Sequence, residues 1–244
     1  MIRLLRAFAA FLACAGLFTA PAHASRVSPM AVELDPFGRG SVARIEFTNT
    51  ADRDFPIEVR AYVGEISEDG QLQLTPADDD FLIFPPQLVI APLQGQVVRV
   101  QYVGEPDLDE ARVYYIALSE LPIELEAGSP KVQVTVRFNV FVSVEPEGVS
   151  AVPRVDTIEP AIVEEVSGIN VRVANDGKGM LLAGGRNWTI AGTTTSGEPF
   201  TREFDGAQMG GTLGAGIVAP GKARQFFIPL DVEVEPASVT VEIE

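Results

Sequence analysis

The chain is short of the residues that most enzymes use at their active sites. Its 244 residues include one cysteine, one histidine and three lysines, and Cys14 and His23 both fall within the first 24 residues. Beyond that segment the sequence cannot supply a histidine-dependent triad, a cysteine nucleophile or a histidine-ligated metal. It therefore predicts a protein that is not an enzyme and that binds no metal or other cofactor. A single cysteine also excludes a disulfide within the chain.

Basic residues are scarce as well. There are 18 lysines and arginines against 34 aspartates and glutamates, which gives a formal net charge of −16. A nucleic-acid-binding protein needs a basic surface that neutralises phosphates, so we expect no nucleic-acid partner. Hydrophobic residues, in contrast, make up 46% of the chain, which is too many for a protein that is disordered throughout.

The start of the chain is typical of a secretory signal peptide. Arg3 and Arg6 precede an apolar run over residues 7–20, which is too short to span a bilayer comfortably. The sequence AHA at residues 22–24 is a small-x-small cleavage site. We predict that residues 1–24 are removed and that no membrane span remains after cleavage. The cleaved chain would carry 16 basic and 34 acidic residues, a net charge of −18.

Beyond residue 24 the hydrophobic pattern alternates with a period of two, which is typical of half-buried β-strands. No stretch of 12 residues has a convincing helical periodicity, and turn signals separate the alternating segments. In the first half the predicted strands are 30–34, 43–49, 55–66, 71–74, 81–84 continuing to 89–91, 96–103, 113–118 and 132–144. Seven or eight short strands within about 120 residues predict an immunoglobulin-like β-sandwich, here without the usual disulfide.

The second half of the chain repeats this character after a break. Proline, glycine and acidic residues cluster at 145–148 and predict a linker. A glycine-rich stretch at 206–216 predicts a loop. The predicted strands of this half are 169–174, 180–183, 187–191, 200–204, 224–230 and 239–243. We expect an all-β protein with two disulfide-free, immunoglobulin-like β-sandwich domains in tandem, over residues 25–146 and 147–244.

One predicted strand is unusually long. Residues 131–144 would form a strand of 14 residues, whereas strands usually have five or six. In its first part Val132, Val134, Val136 and Phe138 alternate with polar residues. The same alternation is typical of an ordinary sandwich strand with its apolar side on the core. The length, however, indicates that part of the strand extends beyond the sandwich, where an exposed apolar edge needs a partner and can be lent to another protein.

Several segments of the first half occur in an order and spacing known from one protein family. They are residues 43–49 (ARIEFTN), the turn at 84–86 (FPP), the strand at 97–100 (VVRV) and the strand at 113–122 (VYYIALSELP). Over about residues 25–146 this pattern resembles the periplasmic pilus-assembly chaperones of the PapD-like family, whose donor strand coincides with the long strand. The resemblance implies two immunoglobulin-like domains with a cleft between them, in a protein of the periplasm.

The resemblance also implies a function. Chaperones of this family bind pilus or fimbrial subunits that lack their last strand, and they donate a β-strand that completes the subunit fold without ATP. In this chain Val132, Val134, Val136 and Phe138 would be the subunit-binding residues. An outer-membrane usher would be a second partner, and the exposed strand would allow self-association in the free state.

The sequence departs from the family at one pair of positions. The family holds the C-terminal carboxylate of the subunit with an arginine on the first strand and a lysine on the donor strand. Here these positions fall at Met30 or Ala31 and at Asn139, and none of the three is basic. The candidate carboxylate anchor is therefore Arg137, which shares a strand face with Asn139, together with Asn139 itself and Arg26. The alternative interpretation of Arg137 is an ordinary cross-strand charge partner.

Two other functions remain open at this point. A secreted two-domain structural protein, adhesin or pilus component with the same sandwich fold would receive a strand or polymerise. The first half, however, contains all the strands of a sandwich, which favours a strand donor. A carboxylate- or metal-dependent enzyme is the second alternative, but the sequence contains no constellation of residues for it.

Overall fold

The computed structural model describes residues 25–122 and 134–244. These residues form two β-sandwiches that follow one another along the chain, and the second contains a short α-helix. Within these two ranges, no helix is both long and apolar enough to cross a membrane. The predicted signal peptide, residues 1–24, lies outside the described residues.

The first sandwich packs a four-stranded sheet against a six-stranded sheet. The four-stranded sheet contains, in spatial order, β1 (Arg26–Ser28), β3 (Val42–Thr48), β8 (Gly95–Tyr102) and β6 (Phe81–Phe84). The six-stranded sheet contains, in spatial order, β2 (Ala31–Leu34), β10 (Arg137–Val144), β9 (Arg112–Glu120), β4 (Phe55–Ile66) and β5 (Leu72–Pro76), and β7 (Gln87–Ile90) also pairs with β4. Neighbouring strands are antiparallel, except that β2 runs parallel to β10.

The chain changes sheets at two proline-containing turns. It leaves the four-stranded sheet after β1, which was not predicted, and enters the six-stranded sheet at β2 after passing Pro29. The segment predicted as one run over residues 81–91 is in fact two strands, β6 and β7, in different sheets on either side of Pro85 and Pro86. Proline has no backbone N–H to donate to a ladder, so strand pairing ends at each turn.

The core of the first sandwich is built from alternate residues of both sheets. Its fully buried side chains include Ile45, Phe47, Ile57, Val98, Ile116 and Val140. Asn49, at the end of β3, is also buried, and its side-chain amide donates to the carbonyls of Arg53 at 2.8 Å and Ile90 at 2.9 Å. The asparagine that ends the ARIEFTN segment therefore joins the edge of one sheet to the other.

Tyr114 and Tyr115, adjacent on β9, are both buried but face opposite sides of the sheet. The Tyr114 hydroxyl donates to a carboxylate oxygen of Asp80 at 2.9 Å inside the sandwich, and burial raises the pKa of Tyr114. Tyr115 faces the second domain instead, where it belongs to a separate apolar cluster. β9 thus contributes to the core and to the contact between the domains.

The second sandwich packs two three-stranded sheets and a short ribbon around Trp188, which is fully buried as expected of a core residue. One sheet contains β11 (Pro153–Val163), β12 (Val166–Asn175) and β17 (Ala223–Pro229). The other contains β15 (Pro199–Phe204), β14 (Trp188–Thr193) and β18 (Thr240–Ile243), and the ribbon contains β13 (Leu181–Leu182) and β16 (Ile217–Val218). The two sandwiches have separate cores, and the predicted division at residue 146 stays a prediction.

The second sandwich differs from the prediction in two elements. The stretch at 206–216, predicted as a loop, contains the helix α1 (Gly206–Leu213). Its capping box explains the helix: Gln208 N–H donates to the Asp205 carboxylate at 2.8 Å, and the Asp205 N–H donates to the Gln208 side chain at 2.9 Å. Glycines weaken helical propensity and concealed this signal. β11 was also missed, because prolines and a bulge between Val155 and Thr157 interrupt its alternation.

Candidate functional site

β10 is paired differently along its two parts. Residues 141–144, the paired segment, lie between β9 on one side and β2 on the other, with Phe141 opposite Ala31. Residues 134–140, the free segment, have no β2 residue beside them, because the chain crosses to the other sheet before Ala31. Among the described residues, 137–140 therefore pair with β9 alone and have an open edge, and residues 134–136, which precede β10, are in no strand.

The open edge presents backbone hydrogen-bonding groups. The Glu120 N–H donates to the Val136 carbonyl at 2.9 Å, and the Phe141 N–H donates to the Met30 carbonyl at 3.0 Å. Even-numbered residues of β10 thus point their backbone groups towards β9 and odd-numbered residues towards β2. Arg137 and Asn139 lie beyond the end of β2, so their N–H and C=O groups face the open edge. Such an edge can accept a further strand.

The apolar row of β10 leads from the core into solvent. Val140 is 0% exposed, and Phe138 is half-buried with its ring centroid 5.7 Å from that of Phe47. Val136 is then 39% exposed and Val134 is 73% exposed. The regular strand begins at Arg137 rather than at residue 131, and the fourth predicted binding residue, Val132, lies outside the described residues.

Phe138 therefore differs from the two valines that were predicted to act with it. Its side chain packs against the core of its own sandwich, since it contacts the buried cluster that includes Phe47. Val134 and Val136 have no such burial and are exposed large hydrophobic side chains. Such side chains next to an open strand edge are an aggregation liability unless another surface covers them.

Glu120 fixes the point where the free segment leaves the sheet. Its buried carboxylate pairs with the Arg53 guanidinium and accepts a hydrogen bond from the Val136 N–H at 3.2 Å. The side chain thus holds the backbone of β10 one residue before its regular pairing begins. Sequence reasoning missed this role, although a glutamate at the end of β9, followed by Leu121-Pro122, was a visible signal.

The three predicted anchor residues do not come together. Arg137 and Asn139 share the outer face of the six-stranded sheet, where Arg137 Nε donates to Asn139 Oδ1 at 3.0 Å and the Arg137 guanidinium lies 4.6 Å from the centre of the Tyr62 ring. Arg26 is on β1 and points outwards from the four-stranded sheet, on the other side of the sandwich. Within the described part of the chain, Arg137 makes no ion pair with a carboxylate.

A cleft lies below the free segment, between the paired segment and the second domain. It has a volume of about 460 Å³, and Ala31, Phe141, Met180 and Arg186 are among its lining residues. Ala31 is one of the positions at which the family resemblance places an arginine. Arg186 is half-buried and comes from the second domain, so sequence reasoning could not associate it with β10.

The two domains are held together beside this cleft by apolar and polar contacts. Val113, Tyr115 and Phe141 of the first domain pack with Met180 and Ile217 of the second. The tip of the β4–β5 hairpin adds an ion pair in which Glu68 accepts two hydrogen bonds from Arg172, at 2.8 and 3.2 Å. These hydrogen bonds lower the pKa of Glu68. The paired segment of β10 is therefore supported from both domains.

Most of the first sandwich matches a known protein family. The family model for the pili and flagellar-assembly chaperone, PapD N-terminal domain, matches residues 39–150. This region holds most of the first sandwich, including β9, β10 and the open edge. The family is one of chaperones and not a class of enzymes. No curated protein sequence matches the chain.

Solved structures share the fold over both domains. The class 5 fimbriae chaperone CfaA has a TM-score of 0.53 at 9% identity, over 91% of this chain and 99% of CfaA. The E. coli chaperone DraB has a TM-score of 0.50 at 15% identity, over 91% and 96% of the two chains. A chain from the complex of Salmonella enterica SafA pilin with the SafB chaperone has a TM-score of 0.50 at 14% identity, over 86% of each chain. The likeness confirms the predicted all-β fold with two immunoglobulin-like domains.

Proposed function

Because the chain belongs to the PapD-like family of pilus-assembly chaperones, we propose that it binds a pilus or fimbrial subunit in the periplasm by donating β10 as a strand. One observation carries the proposal: the free segment combines an open backbone edge with exposed apolar side chains. The open edge provides main-chain hydrogen bonds, and Val134 and Val136 provide side chains for an apolar groove. A subunit that lacks a strand offers the matching groove.

The energetics require more than these two valines. Burying a valine side chain contributes roughly 1.5–3 kcal/mol, whereas association costs on the order of 4–15 kcal/mol. Val134 and Val136 together therefore contribute roughly 3–6 kcal/mol, which is less than most of the range of the association cost. Main-chain hydrogen bonds along the open edge and a second, polar contact have to supply the remainder. No ATP is required in this scheme, because completion of the subunit fold supplies the free energy.

The polar contact is assigned to Arg137 as the candidate carboxylate anchor. Arg137 is exposed, lies on the donated strand and, within the described ranges, has no carboxylate partner. Arg26 lies on β1 in the other sheet, so we leave it out of the proposed anchor. Arg137→Ala is expected to weaken subunit binding about tenfold or more, the usual result when a hydrogen bond between charged groups is lost. Subunit binding by Arg137→Ala would be compared with subunit binding by Arg186→Ala, because Arg186 lines the cleft from the second domain.

The later steps of the proposal concern release. An outer-membrane usher would receive the complex, and a strand from another subunit would replace β10. In the free protein the same edge would pair with the edge of a second copy. A concentration-dependent dimer that the mutation Val134→Glu abolishes would agree with that arrangement.

The deciding experiment is capture of the subunit from the native periplasm. The protein would be tagged at its C-terminus and purified from its own host, beside Val134→Glu and the control Thr135→Glu. The control adds the same charge at the adjacent exposed residue, on the opposite face of the extended segment. A β-rich subunit bound one to one, lost with Val134→Glu and kept with Thr135→Glu, is expected. Absence of any bound protein, or equal capture by the two variants, would contradict strand donation.

A further inference from the structure

Three arginines converge on the outer face of the four-stranded sheet, far from the open edge in the fold. Arg44 on β3 and Arg99 on β8 are directly opposite each other in the antiparallel ladder. Arg39, in the turn before β3, joins them around a concavity of about 500 Å³ that Gln101 also lines. All three arginines are exposed. We call these three residues the arginine cluster.

Among the described residues, no carboxylate forms an ion pair with the arginine cluster. Within residues 25–122 and 134–244, six of the ten other arginines form ion pairs with carboxylates, and none of the three arginines of the cluster does. Like charges placed directly opposite each other in a ladder destabilise a sheet. The cluster is therefore a site of positive charge that the fold itself does not use.

From this arrangement we infer that the arginine cluster is a binding site for a phosphate-type oxyanion. A guanidinium group is planar and weakly hydrated, and it binds phosphate oxygens through two parallel hydrogen bonds. Three guanidinium groups around one concavity match either one anion with several negative charges or several singly charged phosphates side by side. A bound anion would also relieve the repulsion between Arg44 and Arg99.

The surroundings of the cluster suit a ligand with an apolar part. Phe84 is the ladder partner of Arg99, and Leu82 is the ladder partner of Gln101. These side chains are 72% and 61% exposed, respectively, on the same face of the sheet. The shared chemistry is a phosphate group, and its source is either a small diphosphate or the headgroup of an anionic lipid. Exposed apolar side chains beside cationic ones are the usual means of contact with an anionic lipid surface.

The experiment titrates the whole protein with pyrophosphate by calorimetry and, separately, with vesicles of phosphatidylcholine with or without phosphatidylglycerol. Arg99→Gln is expected to weaken anion binding about tenfold or more, because it removes a charge-assisted contact. Arg99→Lys keeps the charge without the two parallel hydrogen bonds of a guanidinium group. Its affinity for the anion is expected to lie between those of the native protein and Arg99→Gln. The control Arg202→Gln removes an equal charge from an exposed ion pair in the second domain and is expected to bind as the native protein does.

A thermal readout separates binding from folding. Without ligand, Arg44→Gln is expected to melt at or above the native temperature, because it removes one of two opposed charges. With pyrophosphate the native protein and Arg202→Gln are expected to gain stability, whereas Arg44→Gln is expected to gain much less. Pyrophosphate binding that depends on the arginine cluster indicates the small-molecule source, and cluster-dependent binding to phosphatidylglycerol vesicles alone indicates the lipid source. Binding to neither probe, or equal binding by native protein and Arg99→Gln, overturns the inference. The outcome is independent of subunit capture, which involves β10.

Discussion

The two parts of β10 have the same side-chain alternation and opposite environments. In the paired segment, Val142 and Val144 are fully buried between two neighbouring strands and the opposite sheet. In the free segment, Val134 and Val136 are exposed and one neighbouring strand is present among the described residues. A valine in the paired segment stabilises its own domain, whereas an exposed valine of the free segment is available to a partner. The point at which the chain passes beyond the core of its own sandwich, between Val136 and Phe138, makes this difference, and the residue type does not.

The largest expected contrast compares one substitution at the two positions. Val142→Ala is expected to lower the free energy of unfolding by about 2 kcal/mol, because it leaves a cavity in a closely packed core. Val134→Ala removes the same methyl groups from a solvent-exposed site. It is expected to change the free energy of unfolding by less than about 0.5 kcal/mol. Urea unfolding of both variants measures the difference. Similar losses would mean that the free segment is covered within the free protein.

A smaller effect is expected at Glu120, where the two segments are joined to β9. Glu120→Gln removes the charge opposite Arg53 but keeps an oxygen that can accept from the Val136 N–H. The expected loss of stability is about 1 kcal/mol, the usual net value of a hydrogen bond. Hydrogen exchange at the Val136 amide is expected to become faster. Glu110→Gln, at an exposed loop residue, is the control, and a matching change there would remove the assigned role of Glu120.

The smallest expected effect concerns the ion pair between Glu68 and Arg172, which joins the tip of the β4–β5 hairpin to the second domain. The Arg172 hydrogen bonds lower the pKa of Glu68 below its ordinary value of 4.5, so the ionised form is favoured in the folded protein. The stabilisation is complete above that value and is lost as pH falls through the lower pKa of the folded state. The effect is small because the pair is exposed to solvent.

Hydrogen exchange as a function of pH measures this contact. The Gln225 N–H donates to the Glu68 carbonyl at 2.9 Å and reports whether the hairpin tip is docked. Protection of this amide is expected to decrease below pH 4.5 in the native protein, whereas Glu68→Gln is expected to show low protection at every pH. A pH step that persists in Glu68→Gln would assign the titration to another carboxylate, such as Asp156, which also pairs with Arg172.

Much of the fold follows from local patterns that a reader can see in the sequence. The strand at 55–66 has the predicted bounds, because alternation continues without interruption between two turns. The strands β6 and β7 were merged in the prediction, since two prolines in a row give no information about which sheet each strand joins. The helix α1 was missed because its capping box involves only Asp205 and Gln208, within a glycine-rich context.

The candidate site was only partly predictable for a similar reason. The apolar row Val134, Val136, Phe138 is visible as a period-two pattern, but the pattern does not reveal which members face the core. Arg26 was included beside Arg137 in the predicted anchor, because sequence distance does not show that β1 and β10 belong to different sheets. Arg186 gave no signal at all, since its proximity to Ala31 depends on how the second domain docks.

Two all-β sandwiches, an acidic chain and a strand with an apolar row can be predicted from the residues alone, because alternation, charge and turn residues are local properties. Folding was needed to show that β2 begins beside Phe141, that Phe138 packs inwards while Val134 does not, and that Arg39, Arg44 and Arg99 meet on one face. These features depend on which strands become neighbours, and neighbours far apart in the chain are chosen by the packing of the whole domain.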